Sequence, residues 1–298
     1  MHCEELMLSD ESAPAVPLPF SLDGPLEALP SEAFEGLRRA AEALEKSSFA
    51  TQLASLAGTP IAALKAWLPD RVEGLLGGAV RRALFFAAKT ALRSGVGQAG
   101  WSRSAWLHRG LTAASGLAGG AFGLPGTIAE LPVSTSLLLR QIAAIAVEEG
   151  EDASDPTLAI ECLKVFALGS RDPSLTSEVT DYFAVRMALA ETLRTVMSRG
   201  AVGVLMPGFI GAIAARFGGP VALKISAQAA PIFGAAAGVA VNLVFLEHFR
   251  RVARAHFTIR RLERQFGAER VREAYTVVQA QIATTRKALA NVLTKSAP

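Results

Sequence analysis

One carboxylate, Glu130, is the only charge across residues 110–139. An acid in apolar surroundings must be paired, protonated or solvated. On one reading Glu130 anchors a ligand headgroup or titrates a proton. Arg140, ten residues on, would then be its partner if the chain folds back. On the plainer reading Glu130 is a capping acid just ahead of Pro132, where a helix starts.

The second concentration of reactive charge is basic. Residues 247–273 hold eight arginines against four glutamates. At ~100° per residue, Arg250, Arg254, Arg260, Arg261 and Arg264 cluster on about a third of a helical wheel. Val252, Ile259, Leu262 and Phe266 lie opposite. Such a helix either meets anionic phosphate or is an ordinary solvated face with intrahelical pairs such as Glu247–Arg251. A further set, Arg71, Arg81, Arg82, Lys89 and Arg93, sits on the pattern running over 72–92. Nucleic acid is the rival partner for these arginines. Aromatic interleaving is thin and no recognition signature is present, so that partner is set aside.

Other chemistries find little support. His248 and His256 are eight apart, about 12 Å along a helix, too far to share one metal. Cys162 lies in the apolar pattern Ala159, Ile160, Leu163, Phe166, where a thiol is usually inert. The glycines of 116–126 lack the Lys-Ser/Thr end of a phosphate loop, and no strand precedes them. Ser115 and Ser136 lack an elbow motif. The residues therefore supply no catalytic set, cofactor or metal ligand.

The elements that must position these residues are helical. Phe34, Leu37, Ala41 and Leu44 repeat at helical spacing, with Glu32 and Glu35 in the first turn. Thr59-Pro60 and Pro69-Asp70 punctuate later starts, and the 72–92 pattern stops at Ser94-Gly95. Asp155-Pro156 opens a helix running to about Gly169. Another spans roughly 176–198, helical pattern continues over 221–266, and a last helix fits 268–294. Alternating β patterns with hairpin turns are absent. The reading is an all-α fold: one large helical domain over 31–298, with a long C-terminal amphipathic basic helix. Residues 1–30 carry Pro14, Pro17, Pro19, Pro25 and Pro30, which favours an extended, partly disordered acidic arm.

Composition explains what those helices are made of. Of 298 residues, 51% are hydrophobic and only 19% charged. That is too apolar for disorder and too charged for a plain multi-pass transporter. The excess apolar content sits in uncharged runs over 110–129, 200–215 and 225–246. Glycines recur four apart at Gly116/Gly120, Gly119/Gly123 and Gly234/Gly238, a spacing that lets helix backbones approach closely. Hairpins over 111–139 and 201–246 therefore either dip into a bilayer or pack as a soluble core. The net charge of +3 hides an asymmetry. Residues 1–60 hold ten acids and three bases, so −7, and the other 238 residues carry +10. The acidic head has the charge to fold back on the basic body. No signal peptide or lipidation motif is seen, so the expected address is cytoplasmic, with both cysteines reduced.

The segment GLAGGAFGLPGTIAELP (116–132), followed by Arg140-Gln141-Ile142 and Ile145-Ala146, resembles the EcsC family of bacterial proteins. Lys224, Pro231, Gly234, Gly238, Asn242 and FTIRRLERQFG (257–267) follow in that family's order. The resemblance covers roughly 70–290, with Glu130 where an aspartate is expected. It implies a bacterial, membrane-associated setting, since the family is named for a gene beside an ABC transporter operon. It supplies no catalytic residues.

The expected function is that of a non-enzymatic protein at the inner face of the cell membrane. Arg81, Arg82, Arg250, Arg254, Arg260, Arg261 and Arg264 would engage anionic phospholipid. Glu130, Arg140 and Asn242 are the candidate buried polar anchors. The alternative is a soluble accessory protein docking on an ABC transporter or other membrane protein. An uncharacterised hydrolase is the remote third reading.

Overall fold

The computed structural model describes residues 29–45, 49–58, 70–94, 123–155, 157–170, 182–198, 207–229 and 234–295. Among these there are nine α-helices and no strand. In chain order they are α1 (Ser31–Glu45), α2 (Phe49–Ala57), α3 (Asp70–Ser94), α4 (Gly123–Glu148) and α5 (Leu158–Leu168). Then follow α6 (Tyr182–Ser198), α7 (Pro207–Ala229), α8 (Gly234–Phe266) and α9 (Ala268–Lys295). The fold is all-α.

α8 is the spine. Its 33 residues give a rod about 50 Å long. α1, α2, α4, α5, α7 and α9 all pack on it, while α3 packs on α4 and α7. The spine serves two cores. One gathers α2 through α7 around the first two thirds of α8, with Phe166, Phe217, Phe245 and Phe249 in mutual ring contact. The other gathers α1, the start of α6, the end of α8 and α9 around Leu37, Tyr182, Ile259 and Tyr275.

Local sequence explains several of these features. α1 buries Ala33, Leu37, Ala40 and Ala41 at helical spacing, and its outer face carries the Glu35–Arg38–Glu42 pairs. α4 closes in a Schellman turn: Gly150 takes φ +83°, its N–H reaches the Val147 carbonyl, and the Glu151 N–H reaches that of Ala146. Gly267, at φ +91°, separates α8 from α9. At Gly169 a side chain is barred by neighbours, because a Cβ there would stand 2.5 Å from the Phe249 ring.

Two prolines lie inside helices, the first of them against the sequence expectation. Pro132 does not begin a helix but lies inside α4, and Pro220 lies inside α7. A proline in a helix interior costs about 3 kcal/mol. Each is flanked by residues that bury fully: Leu131, Leu138, Leu139 and Ile142 around the first, Phe217, Val221 and Ile225 around the second. Each such side chain returns about 1.5–3 kcal/mol, so packing carries the helix through. The described part of the expected 111–139 hairpin is thus one helix. Residues 111–122, and the arm at 1–28, lie outside the described residues. Over 207–246 two helices, α7 and α8, do pack together.

Two stretches, Ile128–Glu148 and Pro207–Ala227, are long and apolar enough to cross a membrane by length and composition. Each is half buried against the rest of the protein.

Candidate functional site

The continuity of α4 through Pro132 decides the place of Glu130. It is not a cap; it sits seven residues into the helix and is buried. The cation that meets it is Lys224 of α7, with Nζ 3.4 Å from Oε1. Arg140 lies about 15 Å further along α4 by helical rise, half-buried, and does not make this pair. Asn242 of α8 donates from Nδ2 to the same Oε1 at 3.2 Å. The Lys224 ammonium also stands 5.2 Å from the centre of the Phe245 ring. Burial pushes the Lys224 pKa down, and the Glu130 carboxylate opposes that shift. This ion pair ties together the two apolar helices long enough to span a bilayer. Its geometry is that of a buried tether between α4, α7 and α8.

The arginines of α8 meet acids of their own chain. Glu148, Glu149 and Glu151, presented by the Schellman turn at the end of α4, form an acidic strip beside them. Arg254 pairs with Glu148 at 3.0 Å and lies 3.7 Å from Glu149. Arg261 lies 3.3 Å from Glu149. Arg260 grips Glu151 with two bonds, at 2.8 and 3.1 Å, and Arg264 bonds both Glu151 and the Glu149 carbonyl. Arg250 pairs with Glu247 within its own helix at 2.9 Å. Burial raises the Glu151 pKa, but the two arginines outweigh it and the net shift is downward. Opposite the arginines, Val252, Ile259 and Leu262 are buried, as the wheel predicts.

Behind the ladder lies a second polar network that the sequence reading missed. His256 is fully buried, and its Nδ1 shares a 2.8 Å hydrogen bond with the Tyr182 hydroxyl. Arg186 donates to that hydroxyl at 3.2 Å and grips Glu263 with bonds of 2.7 and 2.9 Å. Glu161 stands 3.6 Å from His256 Nε2 and 3.3 Å from Arg260. Burial pushes the Glu161 pKa up, yet His256, Lys164 and Arg260 pull it well below the usual carboxylate range. Burial holds the His256 pKa down at about 4. His248, likewise at about 4, lies 2.7 Å from the Gly169 carbonyl through Nε2, so the neutral ring carries its proton there. Its Nδ1 then accepts from Gln52 at 3.2 Å. Burial also raises the Cys162 thiol well above its ordinary value. Among the described residues no three metal-ligating side chains come together.

Arg81 and Arg82 stand apart from this ladder. On α3 the side facing the core is Leu76, Val80, Ala83, Leu84, Ala87, Ala88 and Ala91. The other side carries Arg81, Phe85 and Lys89 in one row and Arg82 and Phe86 in the next. Side chains four apart on a helix stack in this way. All five are exposed, Phe85 by 43% and Phe86 by 51%. No carboxylate pairs with Arg81, Arg82 or Lys89 among the described residues. Two large aromatic rings stand in water between three cations, the one exposed pair of large apolar residues on adjacent positions among the described residues.

With this geometry in view, the comparison with known families is informative. The model of the EcsC protein family matches residues 98–262, more than half of the chain. The chain belongs to the EcsC protein family. Comparison with curated proteins and with solved structures finds no match. The EcsC segment is shorter than the 70–290 expected from the motifs. It contains Glu130, Lys224, Asn242, the acidic strip, and the ladder as far as Arg261. The α3 face, α1 and α9 lie outside it.

Some of these partners had a signal in the sequence. Glu148, Glu149, Glu151 and Asp152 crowd into five residues, a charge run complementary to the arginines of α8. Tyr182, Arg186 and Glu161 had none, because nothing in their spacing points to His256.

Proposed function

We propose that this EcsC-family chain is a peripheral protein of an anionic membrane surface, docking at the inner face of the cell membrane through α3. The observation that carries this reading is Phe85 and Phe86, exposed between Arg81, Arg82 and Lys89. Aromatic rings on such a face enter the boundary between headgroups and acyl chains, while long basic side chains reach back to the phosphates. Each cation near an anionic surface contributes about 1 kcal/mol, so three give reversible rather than permanent attachment. The α8 arginines, already gripped by glutamates, are the weaker candidates for this contact. The reading is non-enzymatic.

Flotation with vesicles tests it. At low salt the purified protein is expected to float with vesicles containing phosphatidylglycerol and not with phosphatidylcholine alone. Phe85→Ser/Phe86→Ser and Arg81→Ser/Arg82→Ser/Lys89→Ser should each abolish flotation without unfolding the chain. Equal recovery with and without anionic vesicles rejects the reading and leaves docking on a membrane protein as the alternative.

A further inference from the structure

Along α8 runs a groove, walled by α1 over most of its length and by Ile145 of α4 at its far end. It consists of three clefts of about 370, 320 and 300 Å³. The first two share Gly36, Arg39 and Arg261, and the last two share Arg251 and Arg254. From Phe266 at one end to Glu247 at the other, the groove follows α8 for about 30 Å. Its floor is made of small residues, Gly36, Ala40, Ala43 and Ala255. Its walls carry five arginines against three glutamates. Glu149 pairs with Arg254 and Arg261 and Glu247 with Arg250, all within this lining, so the groove as a whole carries a net +2. The groove is thus narrow, small-floored and positive.

We propose that residues 1–28 of this same chain occupy the groove as an intramolecular strap. Four observations converge on this occupant. The segment carries Glu4, Glu5, Asp10, Glu11, Asp23 and Glu27 and no lysine or arginine, so its charge is −6. It enters the described structure at the groove itself: Leu29 is buried in the α1–α8–α9 core, and Pro30 lines the end cleft beside Arg39 and Arg261. Reach is ample, since 28 residues span up to about 90 Å and the groove needs about a third of that. Four prolines at 14, 17, 19 and 25 disfavour a helix and favour an extended chain, the shape that a groove floored by glycine and alanine admits.

The strap covers the arginines of α1 and α8 from other anions, whether or not α3 meets lipid. It gives the −7 head and the +10 body a structural relation. Its grip is electrostatic and therefore weakens as salt rises.

The test uses the full chain. Cys162 is fully buried, so a thiol-reactive photocrosslinker reports on one introduced site. Ser12→Cys and Ser21→Cys, each in a Cys3→Ser background, are labelled, irradiated and mapped. Crosslinks are expected within one molecule, to peptides of α1 and of 247–266. They should fall at least roughly fivefold in high salt, or when the six acids become Asn and Gln. Gly36→Phe supplies an independent arm. A Cβ at Gly36 meets nothing within 4 Å, so a side chain can start into the groove there, and with thermal unfolding unchanged the ring should displace the strap. Crosslinks scattered over the surface, mapped to other helices, formed between two molecules, or unchanged by salt and by Gly36→Phe overturn the proposal.

Discussion

The two basic faces of this molecule are built from the same residue types and end in opposite states. On α8, Arg254, Arg260, Arg261 and Arg264 lie against Glu148, Glu149 and Glu151. On α3, Arg81, Arg82 and Lys89 meet no described carboxylate and flank two exposed phenylalanines. A run of arginines in a sequence thus says little about what they bind. What decides it is whether the fold delivers acids to the same place. On α8 the Schellman turn of α4 does so, and those charges join the protein's internal structure. On α3 no described carboxylate arrives, and the cations stay exposed.

The largest effects should come from charges held inside. Glu130→Leu leaves Lys224 buried without its carboxylate and should cost about 3–5 kcal/mol in denaturant unfolding. The double variant Glu130→Leu/Lys224→Met should recover most of this loss. A double variant as unstable as the single one would show that the pair is not the tether. No change of comparable size is expected from any α3-face substitution.

Protons should also act on the α8 side alone. Unfolded imidazoles bind a proton near pH 6.5, but His248 and His256 bind theirs only near pH 4 in the folded chain. Over that window protons favour the unfolded state. Stability should therefore be flat above about pH 6.5 and fall as the pH drops to about 4, by about 3 kcal/mol per histidine. Thermal unfolding across this range measures it. In His256→Gln the slope should be about half as steep; an unchanged slope would remove His256 as its source.

Releasing the ladder should make α8 resemble α3. Glu151→Gln removes the carboxylate between Arg260 and Arg264 and should cost about 1–2 kcal/mol. It should also raise binding to anionic vesicles, because Arg264 loses its carboxylate partner and Arg260 keeps only Glu161. If binding does not rise, the ladder is not held back by its glutamates.

The smallest effect on stability should come from the bare face itself. Arg81→Ser, Arg82→Ser and Lys89→Ser are each expected to change folding free energy by less than about 0.5 kcal/mol. Each should weaken vesicle binding about fivefold, as a cation worth about 1 kcal/mol at a lipid surface would. A destabilisation as large as that of Glu151→Gln would mean that the α3 face is structural after all.

Several features of this fold are written locally, and these the sequence determined by itself. The apolar spacing of Leu37 and Ala41, the glycine at 267 and the buried thiol of Cys162 each follow from a few neighbouring residues. So does the all-α class, and the motifs at 116–132 and 257–267 carry the family. The tertiary structure decided the rest, because it depends on residues far apart in the chain. Pro132 stays within a helix because α3 buries its surroundings. Glu130 finds Lys224, 94 positions away, in place of Arg140, ten positions away. The arginines of α8 are claimed by a turn more than 100 residues earlier. Helical periodicity reports which face a residue occupies. Which charge stands opposite is set by how helices cross, and no local pattern encodes that.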